Sequence, residues 1–167
     1  MSTALSNVTG PVFVLGSGEI EKGLQASRSS QRRRMILPIH RTQDALVQRL
    51  INFVQPETYI RPHLHPREHA VETIFLYQGS LEFFVFKDGG AIDEHYTLKA
   101  GSSSPMIDIE PNIWHSFLVL EPDTIVMETK RGPYDSQLDK SFAEWAPEEN
   151  SAGVQEYMDR LAEQVLG

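Results

Sequence analysis

Between residues 46 and 130 the apolar side chains fall in short runs of about five to nine residues, separated by Pro, Gly, Asp and Asn. β-Branched and aromatic types are enriched in these runs, as a half-buried pleated surface requires. The pattern predicts strands over 46–54, 58–65, 72–77, 81–87, 95–98, 106–109, 114–120 and 124–130. Between them, Gln78-Gly79, Asp88-Gly89-Gly90, Ala100-Gly101, Pro111-Asn112 and Pro122-Asp123 supply the left-handed or fixed-φ residues that reversals need. Many short strands joined by such turns describe a mainly β barrel or sandwich. The first run, 46–54, also fits a helix capped by Thr42, because a short apolar run does not settle its own period. Near the C-terminus, Val154, Tyr157, Met158, Leu161 and Val165 keep three-and-four spacing behind a cap at Asn150 or Ser151, and predict one amphipathic helix.

A chain of 167 residues is one domain with room for a core. Its net charge of −8 argues against nucleic acid and anionic membrane surfaces as partners. The charge is uneven, near +3 over 1–34, −4 over 35–120 and −7 over 121–167. Most of the negative charge therefore falls outside the strands that carry the histidines discussed below. Arg32, Arg33 and Arg34 make a short basic run that reads as solvated surface. With no cysteine, disulfides, thiol catalysis and thiolate metal sites are excluded, so any metal must be held by His and carboxylate. No signal peptide is evident and no segment approaches the roughly 20 apolar residues of a membrane span, so a cytoplasmic protein is expected.

Three of the six histidines lie between positions 63 and 69. In a strand, alternate side chains share a face, so His63 and His65 point the same way, and Arg61 and Tyr59 join them if the strand begins near Thr58. Glu72 opens the next strand and His115 a later one. A barrel brings all four onto one point. Three imidazoles and a carboxylate suit Fe, Mn, Ni, Zn or Cu and leave coordination positions open on a six-coordinate ion. His40 and His95 lack this context and are read as non-ligands. The stretch His65-Pro66-Arg67-Glu68-His69 also spells the zinc-protease pattern H-x-x-E-H, which requires a helix that Pro66 and the flanking strands disfavour.

These residues resemble the cupins, whose first motif is roughly G-x5-H-x-H-x(3,4)-E-x6-G. Here it reads His63-Leu64-His65, then Glu72, then Gly79 after six intervening residues. The gap from His65 to Glu72 is long for the family and leaves Glu68 and His69 as alternative ligands. The second motif survives as Glu110-Pro111-Asn112-Ile113-Trp114-His115, with Asn112 in place of the family's Gly and Val119 in place of its final Asn. Asn tolerates the left-handed turn required there. Over residues 30–149 the chain further resembles WbuC-type cupin metalloproteins, through Tyr59 to His65, Glu128 to Tyr134, Asp139-Lys140 and Trp145-Ala146-Pro147-Glu148-Glu149. The resemblance implies a double-stranded β-helix, the cupin jelly-roll barrel, over 35–134, with an N-terminal extension over 1–34 and a C-terminal segment and α-helix over 135–167. It also implies a divalent metal held by His63, His65, Glu72 and His115 and an association with bacterial surface-polysaccharide biosynthesis, but no settled reaction.

Arg61 is a candidate for binding the anionic group of a small ligand, or else pairs with Glu57, and Tyr59 and Tyr134 are candidates beside it. Lys130 and Lys140 stand in second rank at the barrel mouth. Phe83, Phe84, Phe75 and Tyr77 read as core or interface. Three functions fit: a metal-dependent enzyme, including a dioxygenase, acting on a small, sugar-derived anion; a non-catalytic metal- or carbohydrate-binding or structural cupin; and a barrel with a vestigial site. Ile60, Pro62 and Leu64 would leave an apolar outer face that a second subunit can cover, so a homodimer is expected. Light scattering on a size-exclusion column should give twice the 18.9 kDa chain mass, and a purely monomeric peak at micromolar concentration would refute it.

Overall fold

The computed structural model describes residues 3–166. Ten strands form two five-stranded sheets. They are β1 (Arg34–Pro38), β2 (Val47–Val54), β3 (His63–Leu64), β4 (Glu72–Gln78), β5 (Ser80–Phe86), β6 (Ile92–Lys99), β7 (Met106–Ile109), β8 (Trp114–Val119), β9 (Thr124–Arg131) and β10 (Ser141–Phe142), with helices α1 (Ser17–Ser29) and α2 (Val154–Leu166) at the two ends. One sheet has the order β1-β2-β9-β4-β7 and the other β10-β3-β8-β5-β6, with antiparallel pairing throughout. This is the double-stranded β-helix expected from the sequence.

The two sheets face each other across Val54, Ile74, Leu76, Leu81, Phe83, Leu98, Ile109, Val119 and Val126, which close one end of the barrel with apolar side chains. Phe83 and Phe84 are both fully buried although they point to opposite faces of β5, because the outer face of that sheet is covered as well. There, Tyr157, Met158 and Leu161 of α2 pack with Phe84, Phe86, Leu118, Ala143 and Ala146. On the outer face of the first sheet, Leu24 of α1 packs with Leu37, Ile51, Phe53 and Ile125. The corner between β4 and β5 is Gly79, at φ +78°, where a Cβ would come within 2.2 Å of the Thr124 hydroxyl oxygen. No larger residue fits there without moving β9.

The run 46–54 is a strand, paired along its length with β9. Helix α1 and β1 were not legible as elements. The helical sequence SGEIEKGLQASRS presents small residues to the sheet, with Gly23 and Ser27 buried beside Leu24, so it carries no broad apolar stripe. A Cβ at Gly23 would lie 2.2 Å from the Phe53 ring, and this absence of a side chain is what seats the helix.

Two further expectations are corrected. The strand over 58–65 reduces to His63–Leu64, since the Arg34 guanidinium takes the Tyr59 carbonyl at 2.8 Å and the Thr58 hydroxyl at 3.1 Å. The basic run is not merely solvated surface either: Arg32 and Arg34 donate to Glu149 at 2.7 and 2.9 Å, and Arg33 pairs with Glu57 at 3.0 Å. Arg32 and Arg34 thus fasten the C-terminal segment to the start of the barrel. The apolar face that motivated a second subunit is covered in large part by the chain's own ends, with the Ala143 N–H bonded to the Pro62 carbonyl at 2.9 Å.

Burial pushes the Glu149 carboxyl up, but Arg32 and Arg34 outweigh it and hold the group below its ordinary value of 4.5. A depressed carboxyl stabilises the fold above its unfolded-state value and loses that contribution as pH falls through the native one. Glu149→Gln should cost about 1 kcal/mol at pH 7, and the difference should shrink as pH falls below 4.5 in urea melts. A pH-independent difference would show that the charge of Glu149 does not matter.

Candidate metal centre

β3 and β8 lie side by side with His63 opposite His115, so both imidazoles enter the barrel from one sheet. His65 follows β3, and its carbonyl takes the Asn112 N–H at 3.0 Å, which ties the turn before β8 to this stretch. Asn112 stands at φ 64°, the left-handed conformation expected of it. Glu72 comes from the opposite sheet, at the head of β4, level with Ile109 of β7 and Lys130 of β9. One ligand atom from each of His63, His65, Glu72 and His115 lies within 4.8 Å of the other three, and all four residues are buried. Two sheets thus meet at one cluster.

The orientation of the rings is set from behind. His63 Nδ1 lies 2.9 Å from the Arg61 carbonyl, His115 Nδ1 2.8 Å from that of Ile113 and His65 Nδ1 2.5 Å from that of Asp139. A carbonyl only accepts, so each Nδ1 carries a proton and each Nε2 is turned toward the cluster. His65 Nε2 and His115 Nε2 stand 3.3 and 3.1 Å from the same Glu72 oxygen. Lone pairs facing a carboxylate require a cation between them, either imidazolium protons or a metal ion. Burial first, and then the neighbouring Lys140 ammonium, hold His63 well below its ordinary value, which keeps it in the neutral form that ligates metal. Burial pushes Glu72 up, but His115 and His65 outweigh it and keep it ionised. The donor set and its supporting hydrogen bonds fit a divalent transition metal.

The alternative acids do not reach the cluster. Glu68 and His69 are exposed and pair with each other at 3.3 Å, and the segment between β3 and β4 holds no helix for the H-x-x-E-H arrangement. Tyr59 does not share the ligand face. It is buried under α2, edge-on to Tyr157, with its hydroxyl on the Pro147 carbonyl at 2.8 Å. Arg61 does not pair with Glu57; it donates to the Ala143 carbonyl at 2.9 Å and lies over the Phe142 ring, at the rim of the cavity. Tyr134 also lines that cavity and is half-exposed.

The cavity measures about 490 Å³ and runs from the histidine cluster past Lys130 and Gln48 to His40. Several of its side chains were not selected from sequence. Asn52 of β2 donates to Glu128 of β9 at 2.8 Å, and Lys130 bonds Asp139 at 2.7 Å. Burial, and next the Glu72 charge, push Glu128 up to about 7, so it holds a proton near neutrality. Lys140 is half-buried, with its ammonium 3.5 Å from His63 Nε2. Thr124, Val126, Glu128 and Lys130 alternate on one face of β9, and the change from apolar to charged along that face was the available signal. The acidic C-terminal third therefore supplies the cavity's lysines, contrary to the expectation that its charge lies apart from the site.

A family model, the domain of unknown function DUF6016, matches residues 17–98. No curated protein matches the chain. Among solved structures, the chain resembles an uncharacterized conserved protein with a double-stranded β-helix domain from Klebsiella pneumoniae, with TM-score 0.54 and 18% identity over 81% of this chain and 99% of that one. It also resembles an oxalate oxidase in complex with the substrate analogue glycolate, with TM-score 0.50 and 16% identity over 68% of this chain. A third resemblance is to oxalate decarboxylase from Bacillus subtilis, with TM-score 0.50 and 12% identity over 65% of this chain. The chain spans 57% and 27% of the lengths of these two enzymes. Together these likenesses support the double-stranded β-helix fold. Elemental analysis of untagged protein should find about one divalent ion per chain, and His63→Ala/His65→Ala should lose most of it while keeping its β-sheet circular dichroism. Equal metal in both proteins would remove the assignment.

Proposed function

We propose that the protein is a metal-dependent cupin that holds one divalent ion, Fe, Mn, Ni or Zn, through His63, His65, Glu72 and His115. Beside the ion it takes a small, sugar-derived anion. The observation that carries this reading is Lys140. It is half-buried, its ammonium is beside His63 Nε2, and no carboxylate lies within ion-pair distance of it among the described residues. The other cations named here are matched, Lys130 by Asp139 and Arg34 by Glu149. An ammonium partly withdrawn from water without an ion-pair partner is costly, and an anionic ligand supplies one. Arg61 is the second positive group at the rim, with Glu148 only at 4.0 Å.

A bound divalent ion would supply Lewis acidity, or an oxygen-activating centre if it is iron or manganese. The chain's own groups have separate parts in this reading. The three Nδ1 hydrogen bonds orient the imidazoles, and Lys140 with Arg61 draws the anion to the ligand cluster. Glu128 holds a proton beside Glu72, while Phe83, stacked 5.7 Å from His115, keeps the floor of the site apolar. The likeness to WbuC-type proteins supports a place in surface-polysaccharide biosynthesis, in the cytoplasm. No helix among the described residues is long and apolar enough to cross a membrane. A homodimer is retained, now over the exposed Phe75, Tyr77 and Met106 of β4 and β7.

Calorimetric titration of the zinc-loaded protein tests the ligand class. Gluconate is expected to bind and the uncharged polyol glucitol is not, while Lys140→Met should weaken gluconate about tenfold or more with metal content unchanged. Equal binding of the two probes, or an unaffected Lys140→Met, would refute an anion site. Oxygen uptake by the Fe(II)-loaded protein with gluconate separates an oxygenase from a protein that only binds.

A further inference from the structure

His40 is 1% exposed and lines the same cavity, at the end remote from β3. Its place follows from the ladder. Pro38 is opposite Leu50, and the Ile39 N–H still reaches the Arg49 carbonyl at 2.9 Å, which keeps His40 level with Gln48. Gln48 is opposite Lys130 and Lys130 opposite Glu72, so three strand-to-strand steps separate His40 from the ligand cluster. At about 4.8 Å per step this is roughly 14 Å along the sheet, shortened by the curvature of the barrel.

The protonation of the ring can be read from its neighbours. His40 Nδ1 lies 3.1 Å from the Arg49 N–H and 3.0 Å from the Arg49 carbonyl. That carbonyl already accepts from Ile39. In an antiparallel ladder the N–H and C=O of one residue point to the same neighbour, so the Arg49 N–H also faces β1. The carbonyl it would ordinarily reach, that of Ile39, instead takes the Arg41 guanidinium at 2.5 Å. His40 Nδ1 is therefore the acceptor for the Arg49 N–H, and the proton of the neutral ring sits on Nε2. Nε2 is buried and has no partner in the protein. A buried N–H donor without an acceptor is costly, and bound ligand or water relieves that cost.

We infer that the His40 end of the cavity is a second ligand subsite, whose Nε2–H donates to a hydroxyl or carbonyl oxygen on the far end of the anion held at Lys140. This rests on the anion site proposed above and deepens it. The ligand is an elongated acid with an oxygen acceptor at its tail, the chemistry of a sugar acid, and a two-carbon acid is too short to reach both ends. His40 acts here on specificity and takes no part in holding the metal.

The test uses zinc-loaded full-length protein, with gluconate as the long probe and glycolate as the short one. In ¹⁵N-histidine NMR, His40 should show a protonated Nε2 in the free protein, and gluconate but not glycolate should shift that resonance. His40→Asn keeps an acceptor near the Nδ1 position and removes the far donor, so it should weaken gluconate about tenfold and leave glycolate unchanged. His40→Gln, which restores an N–H near the Nε2 position, should recover part of the loss. The NMR measurement on the unaltered chain decides the matter if a variant folds poorly. A proton on Nδ1, or gluconate binding that neither shifts His40 nor responds to His40→Asn, would overturn the subsite while leaving the anion site intact. Failure of both acids to bind the unaltered protein would overturn both.

Discussion

Three imidazoles and a carboxylate, buried from two facing sheets, cannot share one small space without positive charge among them. The backbone makes this constraint strict. Carbonyls of Arg61, Ile113 and Asp139 take the Nδ1 protons and turn every Nε2 toward the cluster. Either protons or a metal ion must then occupy the middle, and the set of donors favours the metal. The rest of the cavity is arranged around that centre. Its cations are placed on the periphery, paired where they belong to the fold and unpaired at Lys140.

Both chain ends serve this arrangement. A double-stranded β-helix with charged groups inside one end needs its outer faces covered elsewhere, since its internal apolar cluster fills only the opposite end. Helix α1 covers one sheet through the absence of a side chain at Gly23, and α2 covers the other through Tyr157, Met158 and Leu161. Arg32 and Arg34 then clamp Glu149. The segment so held also supplies Asp139 and Lys140 to the cavity, so the stability of the C-terminal region and the chemistry of the centre are linked.

Much of the fold was legible in the sequence because strands buried on one face and bounded by turn residues leave a direct trace. The limits of β7 coincide with those expected, and most others differ by a few residues at the ends. The misses have separate physical causes. Helix α1 packs through Gly23 and Ser27, so its contact with the sheet leaves no apolar period. The stretch before β3 has the composition of a strand, yet the Tyr59 carbonyl takes the Arg34 guanidinium and the Tyr59 hydroxyl donates to the Pro147 carbonyl, away from the ligand face. Lys140 stood in second rank and Glu128 was not singled out, since a charged residue near a barrel mouth looks the same in sequence whether it faces solvent or cavity.

By itself the sequence determined the kind of donor atoms, because a chain without cysteine that carries His63, His65, Glu72 and His115 at strand spacing has only imidazole and carboxylate to offer. It also determined a mainly β fold, barrel or sandwich, through alternation and turn chemistry that act over a few residues, and the resemblance to cupins pointed to the barrel. Only the tertiary structure decided which charges remain unpaired and which nitrogen of each ring bears the proton. Lys140 lacks a carboxylate because Asp139 is taken by Lys130, and His40 presents an N–H because the Ile39 carbonyl is taken by Arg41. Such outcomes depend on competition between groups far apart in the chain, and competition of that kind has no local pattern from which to be read.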